Sequence, residues 1–150
     1  MKVVNILLVE DNDGDILLTT EALEESRIIN TLTIAKNGKD ALDFLYKRGR
    51  FSNETLPDLI LLDINLPYKN GHEVLTIIKN DDTLKNIPVI MLTTSSSETD
   101  INKSYSNYAN CYIIKPIEVK EFIAAVISIK NFWLNIVALP NKTNTLINNT

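Results

Sequence analysis

Ile6-Leu7-Leu8-Val9-Glu10-Asp11-Asn12 is the stretch that decides the fold: four apolar residues running straight into three polar ones. A short apolar run bounded by turn residues reads as a strand buried on both faces, as parallel strands are. The pattern recurs downstream. Leu59-Ile60-Leu61-Leu62 ends in Asp63, Val89-Ile90-Met91-Leu92 ends in Thr93 and Thr94, and Tyr112-Ile113-Ile114 ends in Lys115-Pro116. If these strands lie parallel and adjacent, Glu10, Asp11 and Asp63 converge at one sheet edge, beside the Thr93 hydroxyl and the Lys115 ammonium. A pocket so acidic needs a divalent cation to hold it together, and it suits capture of a phosphoryl group on a carboxylate oxygen. A fourth acid, Asp13, is expected in the turn that follows.

Between these runs the apolar residues recur at helical spacing. Strand alternating with helix is the signature of βαβ units and a parallel sheet covered on both faces. Five repeats are legible, with strands over 4–9, 31–35, 58–62, 87–92 and 111–114. The predicted fold is α/β, a doubly wound five-stranded parallel sheet with helices on both faces. The first helix is predicted from Asp15 to Arg27 on Ile16, Leu17, Thr20 and Leu23. The second runs from Gly38 to Arg48 on Ala41, Leu42 and Leu45, and the third from Glu73 to Asn80 on Val74, Ile77 and Ile78. The fourth, Glu98 to Tyr108, has only Ile101, Tyr105 and Tyr108 to hold it, and is expected among the more mobile elements. The fifth starts near Glu118 and stays apolar through Phe132, Trp133, Ile136 and Val137 until Pro140 stops it. Spanning roughly 20 residues and roughly 30 Å, it would overrun the sheet. Phe132, Trp133 or Val137 are then left for a partner, a second copy or a fold-back onto the domain. One domain is expected over 1–140, with a disordered polar tail over 141–150.

Composition narrows the function. At 150 residues the chain suits one domain, which at this size buries roughly 70% of its unfolded surface. With 15 basic against 19 acidic residues and no basic stripe, the electrostatic drive for nucleic-acid binding is missing, and no such partner is expected. Cys111 is the sole cysteine, which excludes an internal disulfide and a multi-thiolate zinc site, and it reads as a buried small hydrophobe. His72, the sole histidine, cannot build a multi-histidine metal site and is expected on a helix surface. The apolar run within Met1 to Val9 is too short for a signal peptide, and no segment approaches the length of a membrane span. The expectation is a cytoplasmic protein with no membrane partner.

Several spaced features together carry a family resemblance: Leu8-Val9-Glu10-Asp11-Asn12, Asp63 followed by Leu66-Pro67 and Gly71, Thr93 after an apolar strand, and Tyr112 three residues before Lys115-Pro116. From about Asn5 to Leu139 the chain resembles the receiver domain of two-component response regulators, which implies the flavodoxin-like topology. The resemblance implies that Asp63 is the phosphoacceptor, taking the group from a sensor histidine kinase or a small donor such as acetyl phosphate with Mg²⁺ present. It implies that Asp11 and Asp63 bind the metal directly, that Asn65 offers its backbone carbonyl and that Glu10 acts through water. Lys115 and Thr93 would engage the phosphoryl oxygens, and Pro116 would follow a cis peptide. Thr93 and Tyr112 would form the switch, with Tyr112 rotating inward and remodelling the face of the fourth helix, fifth strand and fifth helix. That face, with Phe132 and Trp133, is where output or a homodimer is expected.

Within the family the chain is most similar to stand-alone receivers that accompany phytochrome-type histidine kinases. The similarity lies in Glu10-Asp11-Asn12 with Gly14-Asp15, the long connection Arg48 to Pro57, Asp63-Ile64-Asn65-Leu66-Pro67, Thr93-Thr94-Ser95 and Phe132-Trp133-Leu134. Thr94 stands where the broader family often has a smaller residue, and could narrow the entrance for a donor. Asn65 and Ser95 occupy the positions that tune water attack on the phosphoryl group. Output is expected to pass through a downstream protein or a phosphotransfer partner, since only a polar tail follows Pro140.

Each residue also has a duller account. Glu10, Asp11 and Asn12 suit turns and helix caps, Asp63 to Asn65 suits a turn, Thr93 an ordinary strand, Tyr112 a core and Lys115-Pro116 a surface turn. Taken singly, these accounts are better; jointly they require several coincidences at one sheet edge. Two other functions compete. A metal-dependent aspartyl-phosphate phosphohydrolase would place a second acid two residues after Asp63, where Asn65 cannot transfer protons, so turnover would be slow. A flavin-binding module would need a phosphate loop after the first strand, where Glu10 to Asp13 would repel a phosphate. A phosphorylation-independent interaction domain is a further alternative, and the intact set Asp11, Asp63, Thr93 and Lys115 argues against it.

Overall fold

The computed structural model describes residues 3–129, and the expectations for Phe132, Trp133, Val137, the extended fifth helix and the tail lie outside them. Five strands, β1 (Val4–Val9), β2 (Asn30–Ala35), β3 (Leu59–Leu62), β4 (Val89–Thr93) and β5 (Cys111–Ile114), pair in parallel in the order β2-β1-β3-β4-β5. Between and after them run α1 (Asp13–Glu25), α2 (Gly38–Leu45), α3 (Gly71–Asn80), α4 (Glu98–Ser106) and α5 (Val119–Ser128).

Each strand splits its apolar residues between two cores, which is why the runs read as continuous rather than alternating. Ile6, Leu8, Leu59, Leu61, Ile90 and Leu92 face one core with Leu23 of α1 and Phe122 and Val126 of α5. Leu7, Val9, Ile60, Leu62, Val89 and Met91 face the other with Ala41 and Leu45 of α2 and Val74, Leu75 and Ile78 of α3. The chain leaves β1 for β2 on one side and returns to β3 on the other. This reversal opens a crevice at the carboxyl ends of β1 and β3, where ligands of such sheets bind.

Element boundaries fall within a few residues of the expectation, with informative differences. In α1 the buried side chains are Thr19, Ala22 and Leu23, while Leu17 is 59% exposed. The apolar residues of that helix lie on several sides, so their spacing does not single out the inner face. In α4 only Ser104 is buried; Tyr105 is half-exposed, and Tyr108 lies beyond the helix and faces solvent. The helix is thinner in apolar contacts than the sequence suggests. Cys111 is half-buried, with its Sγ 3.2 Å from the Ser128 hydroxyl. No helix among the described residues is long and apolar enough to cross a membrane.

Candidate functional site

Register brings the acids together. Val9 pairs with Leu62, so Glu10 and Asp63 leave adjacent strands at one level. Both are buried, at 2% and 7% exposure, while Asp11 faces solvent one residue on. One carboxylate oxygen from each of the three lies within 4.8 Å of the others. Hard oxygen donors with one solvent-facing side suit a divalent cation that keeps part of its water shell. Asn65 follows in the β3–α3 connection with its side chain exposed.

Lys115 enters from the end of β5, held there by its own amide, which donates to the Thr93 carbonyl at 2.8 Å. Its peptide bond to Pro116 is cis. The ammonium pairs with Glu10 and stands 3.0 Å from Asp15 Oδ2 and 3.4 Å from Asp63 Oδ2. The other Asp63 oxygen accepts the Ile64 amide at 2.7 Å. Burial pushes the Glu10 carboxyl up to about 7, against the pull of its hydrogen bond to Lys115 and with the help of the Asp63 charge. Burial also opposes the Lys115 ammonium, but its hydrogen bonds to Glu10 and Asp15 and the nearby charges outweigh it and hold the group above its ordinary value.

Two glycines make the close packing possible. A Cβ on Gly71 would stand 2.1 Å from the Asp63 carbonyl oxygen, and one on Gly38 2.1 Å from that of Lys69. Both ends of the β3–α3 connection are therefore pressed against backbone. Asn70 starts α3 with a capping box to Glu73, which fixes where that connection stops.

Thr93 is fully buried, and its Oγ1 accepts the Ser95 amide at 3.4 Å. Tyr112 is half-buried against the second core, its hydroxyl already donating to the Ser95 carbonyl at 2.9 Å. The ring is thus turned toward the loop that follows β4. Thr94 is exposed at the rim. Asp13 does not join the site: it opens α1 and pairs with Lys36 at 2.7 Å on the surface.

Two features escape the sequence reading. Asp15 reaches Lys115 because Asn12 caps α1 by accepting the Asp15 amide at 2.9 Å, which turns the first helical turn back over the strand ends. An acid three residues after a capping Asn is the signal. His72 is not on the surface: at 6% exposure it lies against α4, with Nε2 3.0 Å from Asp100 Oδ1. Starting α3 at Gly71 instead of Glu73 places His72 in the first turn, under α4.

Comparison with known proteins identifies the family and the fold. The family described as response regulator receiver domain matches residues 6–127. Response regulator Rcp1 from Synechocystis sp. is 46% identical over 135 residues, covering 90% of this chain and 92% of that one. Its Mn²⁺-bound crystal structure superimposes with a TM-score of 0.74 at 46% identity, over 93% of this chain and 99% of that one. The phosphorylated cyanobacterial phytochrome response regulator RcpA gives a TM-score of 0.75 at 45% identity, over 92% of this chain and 99% of that one.

Proposed function

The chain belongs to the response regulator receiver domain family, whose members accept phosphoryl groups from histidine kinases, and on that premise we propose that Asp63 is the phosphoacceptor of a phytochrome-type phosphorelay. The observation that carries this reading is the meeting of Glu10, Asp11, Asp63 and Lys115 at the carboxyl edge of the sheet. An Asp63 oxygen attacks phosphorus in line, a P–O bond forms, and the P–N bond of the donor phosphohistidine breaks with its electron pair leaving on the imidazole. The Ile64 amide fixes the carboxylate while it reacts. Lys115, 3.4 Å from Asp63 Oδ2, shifts its charge onto a phosphoryl oxygen, and Thr93 donates its hydroxyl to another. Asp11, Asp63, the Asn65 carbonyl and, through water, Glu10 would hold a Mg²⁺ ion, which when bound neutralises the phosphoryl oxygens.

The protein acts as an acceptor, not as a turnover enzyme. Asn65, two residues after Asp63, offers no carboxyl to activate water, which supports slow self-dephosphorylation. Output passes to a protein partner through the face of α4, β5 and α5, with a homodimer on that face as one form of it. The test is phosphotransfer from a phosphorylated phytochrome-type histidine kinase. Wild-type protein is expected to take the label and Asp63→Asn to take none; equal labelling of both would refute the assignment.

A further inference from the structure

A second polar cluster lies beyond the carboxylates. Asp100, in the first turn of α4, accepts the Ser95 hydroxyl at 2.7 Å on one carboxylate oxygen and stands 3.0 Å from His72 Nε2 on the other. Tyr112 donates to the Ser95 carbonyl at 2.9 Å. Ser95 is thus held from two sides, through its hydroxyl toward α4 and through its carbonyl toward β5.

Little else fixes this end of α4. Only Ser104 of the helix is buried, so apolar packing restrains it weakly. Its first turn is pinned by polar bonds: the Asp100 amide donates to Ser97 Oγ at 3.2 Å, and the Ser104 hydroxyl donates to the Asp100 carbonyl at 2.8 Å. His72 adds the tie to α3. Its Nδ1 is buried with no hydrogen-bond partner among the described residues. An unpaired buried ring nitrogen is destabilising, and an apolar side chain would fill the same place without that penalty. What the histidine adds is its bond to Asp100.

We infer that His72, Asp100 and Ser95 form a latch that holds Tyr112 in this position, its hydroxyl on the Ser95 carbonyl. Asp100 and His72 are positioning residues that act through Ser95. When the Asp100 bond is lost, the loop carrying the Ser95 carbonyl relaxes, Tyr112 loses its acceptor and the ring moves toward solvent. The latch goes beyond the phosphoacceptor reading, because it is built from residues outside the Glu10, Asp11, Asp63 and Lys115 cluster. Combined with that reading, it makes α3 and α4 the elements that hold the switch tyrosine ready.

The test is ¹⁹F NMR of full-length protein labelled with 3-fluorotyrosine, without a phosphoryl donor. Tyr112→Phe identifies the Tyr112 resonance, and Tyr68, Tyr105 and Tyr108, exposed at 83%, 50% and 76%, mark the solvent region of the spectrum. Asp100→Ala is expected to shift the Tyr112 resonance toward that region. Ser95→Ala removes the same bond from the loop side, is expected to give the same shift, and decides the matter if Asp100→Ala does not fold. A Tyr112 resonance unmoved in Ser95→Ala overturns the latch; one unmoved in His72→Ala removes the histidine from it. With no donor present, failure here leaves the Asp63 assignment standing, and failure of Asp63 to accept a phosphoryl group leaves the latch standing.

Discussion

Glu10 and Lys115 are buried side by side next to Asp63. With its folded value raised from 4.5 to about 7, the Glu10 carboxyl binds protons more tightly in the fold than in the open chain. Its contribution to stability is therefore complete below the unfolded value and is lost as pH rises through about 7. Metal binding runs the opposite way, since a cation needs the ionised cluster. We predict that Mg²⁺ affinity rises with pH through about 7, with close to one proton released on binding near pH 6 and almost none near pH 8. Titration calorimetry in buffers of different ionisation enthalpy measures this; pH-independent affinity would contradict it. At this scale the sequence is most legible where an apolar run ends. Glu10, Asp63, Thr93 and Lys115 each take their place from the strand before them. Asp15 and His72 take theirs from where a helix starts, which Asn12 and Asn70 decide by capping, and strand grammar does not record that.

Elements, like residues, owe their positions to a few contacts. Gly71 lets α3 begin directly against the Asp63 backbone, where an added methyl would stand 2.1 Å from the carbonyl oxygen and 2.8 Å from Ile64 Cα. Backbone cannot yield as a flexible side chain does. Gly71→Ala is expected to destabilise the protein by on the order of 3 kcal/mol, read from urea unfolding, and to slow phosphoryl uptake by displacing Asp63. An unchanged unfolding midpoint would show that the junction has slack. The central strands β1, β3 and β4 are legible to within a residue or two because each is buried on both faces and cannot slip without exposing a core. Helix faces are less so. Leu17 and Leu18 of α1 are exposed while Thr19 is buried, because tertiary packing decides between faces of similar polarity. In α4 the anchor is a carboxylate network rather than an apolar stripe, and hydrophobic spacing carries no signal for it.

On the scale of the whole molecule, the sheet is covered by α1 and α5 on one face and α2 and α3 on the other, which leaves its carboxyl edge to carry the chemistry. The fold class and the convergence of the carboxylates both follow from one repeated pattern, an apolar run ending in a polar residue. Which surface meets a partner does not, because exposed side chains answer to the partner and leave little mark on the periodicity of a single chain. The central functional claim is that Asp63 carries the phosphoryl group. It is tested most directly by intact-mass measurement after incubation with Mg²⁺ and acetyl phosphate, followed by borohydride reduction of the acyl phosphate and peptide mapping. The account predicts one phosphoryl adduct per chain, dependent on the metal, reduced at Asp63 alone and absent from Asp63→Asn. An adduct that maps to another residue, survives in Asp63→Asn or forms equally well without the metal would contradict it.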